Sequence, residues 1–180
     1  MTFTKTKVSQ FIAAAALVFG GATVAHAADQ GHGSVTFTGS IIDAPCSISP
    51  DTIEQVVELG QISNAALQAG NGTGASTPVN FSIDLENCTF ETASSVAVTF
   101  TGAETASGKL GITGQAKGAG IVITDDVGNP IKLGKATAGQ AVSLGNNTLL
   151  YSAYLQGEGK AEAIVPGDFA GVADFTLAYN

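Results

Sequence analysis

The stretch ADQGHGSVTFTGSIIDAPCS, residues Ala28 to Ser47, decides how the rest of the chain is read. Along an extended backbone successive side chains point to opposite faces. Gly31, Gly33, Val35, Phe37 and Gly39 therefore share one side, and Gln30, His32, Ser34, Thr36 and Thr38 share the other. The alternation is that of a strand, yet three of the five positions on the apolar side are glycines. As the first strand of its own domain the segment is a poor one: Val35 and Phe37 bury bulk, and the glycines bury almost nothing.

Upstream of this stretch, Lys5 and Lys7 give a basic start, Phe11 to Phe19 an apolar run, and Ala25-His26-Ala27 the small residues a signal peptidase needs. The run falls short of the ~20 residues of a membrane span. Residues 1–27 are expected to be a secretory signal removed after Ala27, leaving 153 of 180 residues, one domain by length, with no membrane insertion after removal. All fifteen acidic residues lie beyond Ala27 against five lysines and no arginine, a net charge of −10. That balance excludes nucleic acid, whose phosphates need clustered cations, and disfavours anionic membrane surfaces. Two cysteines, Cys46 and Cys88, in an exported chain read as a disulfide closing a 43-residue loop, the alternative being two buried thiols.

Downstream the period stays near two. Val79, Phe81, Ile83 and Leu85 alternate with polar residues, and Val96, Val98 and Phe100 alternate with Ala97 and Thr99. Further strands are expected at Val56 to Leu59, Leu110 to Ile112, Ile121 to Thr124, Pro130 to Leu133, Thr148 to Leu155, and Phe169 to Tyr179. Only SNAALQAG, Ser63 to Gly70, is helix-like. Many short strands separated by glycine-rich turns predict an all-β sandwich or barrel.

Chemistry is sparse. His32 is the sole histidine beyond Ala27, so a nucleophile–histidine pair would have to draw on the N-terminal segment, and a histidine-based metal site lacks ligands. Asp125-Asp126 sits in no calcium-loop spacing and reads as a solvated turn. GNGTG, Gly70 to Gly74, lacks the Lys-Ser or Lys-Thr of a phosphate loop. No enzyme, metal or cofactor is expected. The C-terminus is more informative. Phe169, Gly171, Ala173, Phe175, Leu177 and Tyr179 share one face, and the chain stops with nothing to cover that edge, which in a finished monomer is an aggregation hazard.

GSVTFTGSIIDAPCSI (Gly33 to Ile48), ELGQIS (Glu58 to Ser63), the cysteine of IDLENC (Ile83 to Cys88), a glycine fourteenth from the end (Gly167) and ADFTLAYN with its penultimate Tyr179 occur in that order. In these features the chain resembles the pilus-shaft subunits of the chaperone–usher pathway, nearest to the major pilins of P-type and type 1-type fimbriae. The resemblance implies an incomplete immunoglobulin-like β-sandwich lacking its last strand, with residues 28–39 an N-terminal donor-strand extension and 40–180 the domain. It implies a structural subunit of a surface fimbria that supports cell adhesion, polymerising by donor-strand exchange. Its partners would be copies of itself, a periplasmic chaperone, an outer-membrane usher, and minor and tip subunits. By the same resemblance Gly31, Gly33, Val35, Phe37 and Gly39 form the donor strand. Gly167, Phe175, Leu177, Tyr179 and Asn180 form the acceptor groove and chaperone contact, and Cys46 pairs with Cys88. The alternatives are a minor subunit or a carbohydrate-binding tip adhesin. For the adhesin, 153 residues leave no room for a receptor domain and there is no tryptophan to stack on sugar rings.

Overall fold

The computed structural model describes residues 33–89, 94–159 and 163–180. The signal segment 1–27 and donor position Gly31 lie outside the described residues. The chain divides into two compact units, Met1–Ile41 and Ile42–Asn180. Of the first, residues 33–41 are described; they form no helix or strand and every side chain is exposed.

The described residues of the second unit hold ten strands and two short helices: β1 (Ser47–Ile48), α1 (Pro50–Ile53), α2 (Asn64–Gly72), β2 (Val79–Cys88), β3 (Ser94–Gly102), β4 (Leu110–Gly111), β5 (Thr113–Gly114), β6 (Ala119–Thr124), β7 (Gln140–Val142), β8 (Gly145–Gly157), β9 (Phe169–Ala170) and β10 (Ala173–Tyr179). One sheet has the order β1-β2-β8-β6-β4, a second β10-β3-β7, and β5 pairs with β9. All the ladders are antiparallel. The period-two pattern produces this directly. β2 sets Phe81 opposite Tyr151 and Ile83 opposite Leu149 on β8, and the inward row meets Val96, Val98, Phe100 and Val142 from the other sheet in one core. Phe100 stands edge-on to Tyr151, ring centroids 5.1 Å apart at 82°, an arrangement favoured by the ring quadrupoles. The Tyr151 hydroxyl accepts a hydrogen bond from Gln140 Nε2 at 3.2 Å. Cys46 and Cys88 are disulfide-bonded, tying the entry of the chain to the end of β2.

Three expected elements differ. Val56 to Leu59 carries no strand assignment, because among the described residues no neighbouring segment supplies a ladder. Pro130 to Leu133 makes a single bridge, Thr124 to Pro130, since proline has no N–H to continue it. The strand from Phe169 to Tyr179 is broken at Gly171–Val172 and changes partners, β9 joining β5 and β10 joining β3. Gly171 permits the crossing: a Cβ there would stand 2.6 Å from Ile121 Cδ1. The helix-like segment becomes α2, with non-helical Ala69, Gly70 and Asn71 inside it. Asp125, in the acidic pair, holds a turn: it accepts from the backbone N–H of Val127 (3.1 Å) and Asn129 (2.7 Å).

Candidate functional site

The site is an incomplete edge. β10 pairs with β3 from Ala173↔Gly102 to Tyr179↔Val96, and among the described residues its other edge has no ladder. The consequence shows in burial. On β3 the inward Val96 and Val98 are fully buried, at 0% exposure. On β10 the inward Ala173, Phe175, Leu177 and Tyr179 pack against the same core but remain half-buried. A residue flanked by strands on both sides is sealed; one at an open edge is not. Phe175 reaches Phe100 with centroids 6.5 Å apart, and burial pushes the Tyr179 phenol above its ordinary value. Asn180 closes the strand by exchanging backbone hydrogen bonds with Ser95 at 2.9 and 3.0 Å.

The opposite wall is the stretch from Gln55 to Ile62, in which half-buried Gln55, Val57 and Leu59 alternate with exposed Val56, Glu58 and Gly60. It is anchored by Gln55 Nε2, which donates to the Ser82 carbonyl at 2.8 Å. Between this wall and the run from Ile164 to Ala173 lies a cavity of about 750 Å³. Leu67, Ile121 and Leu155 of the second buried cluster line it, with half-buried Leu59, Ile62, Ile112, Ile164 and Phe169 packed on that cluster. Gly167 lines the cavity as well. A Cβ at Gly167 would fall 2.7 Å from Gln115 Cβ and 2.9 Å from Ala116 N. Glycine there lets the chain pass close enough for the N–H groups of Gln115 and Ala116 to donate to the Asp168 carbonyl, at 3.0 and 3.1 Å. Gly167 thus stands at the cavity end of the groove, while Phe175, Leu177, Tyr179 and Asn180 continue beyond it along β10.

On the N-terminal segment Val35 is 77% exposed and Phe37 90%. Sequence reading passed over Ile41, which continues the face of Val35 and Phe37 two residues past Gly39 and is wholly exposed. The period that identified Phe37 was the signal that would have found it. At Gly33 and Gly39 an added Cβ meets nothing within 4 Å. Any need for glycine at either position has to come from a partner.

A family model described as fimbrial protein matches residues 35–180. The chain is 55% identical over 176 residues to the Fimbria A protein of Serratia marcescens, covering 97% of this chain and 99% of that one. It is 57% identical over 157 residues to the Major MR/P fimbria protein of Proteus mirabilis, covering 86% and 87%. Among solved structures it matches a chaperone–usher pilus structure that explains rod uncoiling, with TM-score 0.73 and 32% identity, covering 84% of this chain and 97% of that one.

Proposed function

The chain belongs to the fimbrial protein family, and from that premise we propose that the N-terminal segment of one copy completes the open edge of the next. The chain is a structural shaft subunit of a fimbria displayed on the cell surface, built on an incomplete immunoglobulin-like sandwich. Its role is structural rather than catalytic. The observation that carries the donor reading is the pairing of two deficits: a β10 whose inward face is half-buried for want of a neighbour, and an alternating apolar segment with Val35, Phe37 and Ile41 in solvent. Strand addition satisfies both, main-chain hydrogen bonds giving affinity and alternate side chains filling the core.

Topology supports one direction. The chain enters the domain at Pro45, whose carbonyl accepts from Thr89 N–H at 2.9 Å. Val142 pairs with Ser94 and Gly145 with Cys88, so the end of β2, the start of β3 and Asn180 all lie at one end of the sandwich. A donor parallel to β10 would bring the neighbour's entry point to this same end, where each copy's own extension also departs, and both junctions would collide. An antiparallel donor sends the neighbour to the far end and leaves an open head-to-tail chain. Setting Gly33 opposite Tyr179 then places Val35 opposite Leu177, Phe37 opposite Phe175, Gly39 opposite Ala173, and Ile41 opposite Gly171, in the cavity by Gly167. Burying each of the three large side chains contributes about 1.5–3 kcal/mol, and each new main-chain hydrogen bond about 0.5–1.5 kcal/mol. Once seated, the strand leaves only if the core opens, so the polymer's durability is kinetic.

Before assembly a periplasmic chaperone lends the missing strand and contacts the Asn180 terminus, and an outer-membrane usher exchanges it for the next subunit's extension. Minor and tip subunits complete the fibre. The test is deletion of residues 28–41 after the signal. The truncated subunit is expected to fold, to be recovered with its chaperone and to be absent from surface polymer, whereas the full chain gives an unheated gel ladder that collapses to monomer on heating. A truncated chain that still joins the ladder, or a full chain without one, refutes the reading.

A further inference from the structure

The two ends brought together by head-to-tail assembly both expose apolar side chains. At the entry end, Leu144 is 70% exposed. It precedes Gly145, which pairs with Cys88, while Pro45 reaches the neighbouring Thr89 from the other side. Leu144 and the entry point thus flank the end of β2, one strand spacing to either side, about 10 Å apart. At the far end, Val172 is 75% exposed and Val165 44%, and both line the cavity that receives Ile41 in the donor reading.

Chain length forces these ends close. From Ile41 to Pro45 is four residues, so the neighbour's entry point lies within about 13–14 Å of Ile41 even if the link is fully extended. That keeps the two ends within reach of each other, close enough for side chains to meet. We infer that Leu144 of each copy packs against Val172 and Val165 at the cavity rim of the preceding copy, forming a second apolar contact between consecutive subunits, beside the donor strand. This contact rests on the donor reading, because only the seated extension brings the two ends together. Its effect is on geometry: it restrains the angle between successive domains, which the short link by itself leaves free to vary.

The chain contains no tryptophan, so a single introduced one reports its own environment. Leu144→Trp subunits are prepared in two forms: polymer, and a monomer whose groove is filled by a copy of residues 31–41 fused after Asn180. The contact predicts solvent-type indole emission in the monomer and a blue-shifted, quencher-protected emission in the polymer. The reciprocal Val172→Trp polymer shows the same shift, and adding Leu144→Asp abolishes it while the heat-sensitive ladder persists, so the outcome does not hang on one variant. A ladder with unshifted emission in both tryptophan variants overturns the contact and leaves the donor reading standing. Absence of a ladder in the unmodified chain overturns the donor reading and this contact with it.

Discussion

Tyr151 sits where the two sheets meet, with Phe81 and Phe100 against its ring, and burial pushes its phenol up to about 12. In the unfolded chain the same group titrates near 10. As pH rises past 10 the unfolded state loses its proton first, so the stabilisation is whole below pH 10 and is lost on approaching pH 12, about 2–3 kcal/mol in all. Denaturant midpoints measured across that window should fall, and fall less in Tyr151→Phe; parallel curves would show that the phenol is not the cause. Gly167 is the other telling residue. Gly167→Val drives a side chain into Gln115 and Ala116, and overpacking of this kind costs about 1–3 kcal/mol. Urea melts should shift accordingly and polymer yield should drop, because the cavity wall is displaced; unchanged values for both would remove the close approach from the account.

At the scale of elements, the disulfide and the open edge do different work. Cys46–Cys88 holds β1 against β2 at the entry end. Closing a 43-residue loop is worth about 4 kcal/mol in the chain-entropy account. Cys46→Ser/Cys88→Ser should lose stability of that order in denaturant titration while keeping the same sheet topology by circular dichroism; a loss below 1 kcal/mol would mean that the loop is already restrained in the unfolded chain. The Gln55–Ile62 stretch lines the cavity and β10 leads away from it, and both alternate half-buried with exposed residues. Among the described residues the first has no ladder and the second is paired on one side only.

For the whole molecule, the question is what an intact core would be worth. A copy of residues 31–41 placed after Asn180 through a short flexible linker starts at the correct end and runs back antiparallel to β10. Such a chain is expected to be a soluble monomer, to melt well above the unmodified chain, and to refuse the ladder because its groove is filled. Equal melting temperatures would sink strand complementation as the source of stability, and continued polymerisation would show that the groove is not the assembly site.

The β class, the acidic and histidine-poor character, the alternating faces of residues 33–39 and of β10, and the cysteine pair were legible in the sequence, because each is written in local period or composition. Phe175, Leu177 and Tyr179 were legible as one face for that reason, and Gly167 through its place in the C-terminal pattern. The uncovered apolar face at the C-terminus was legible as well, but the period does not say which segments pair with one another. Val56 to Leu59 had a strand's pattern and became an unpaired wall; Phe169 to Tyr179 had one period and became two strands in two sheets. Ile41 was overlooked because Gly39 looked like the end of its run. Only the folded chain brings Asn180 and the entry of the chain to one end, and the direction proposed for the donor rests on that. Pairing is a property of two segments at once, and a period written in one of them says which face is apolar, not what will cover it.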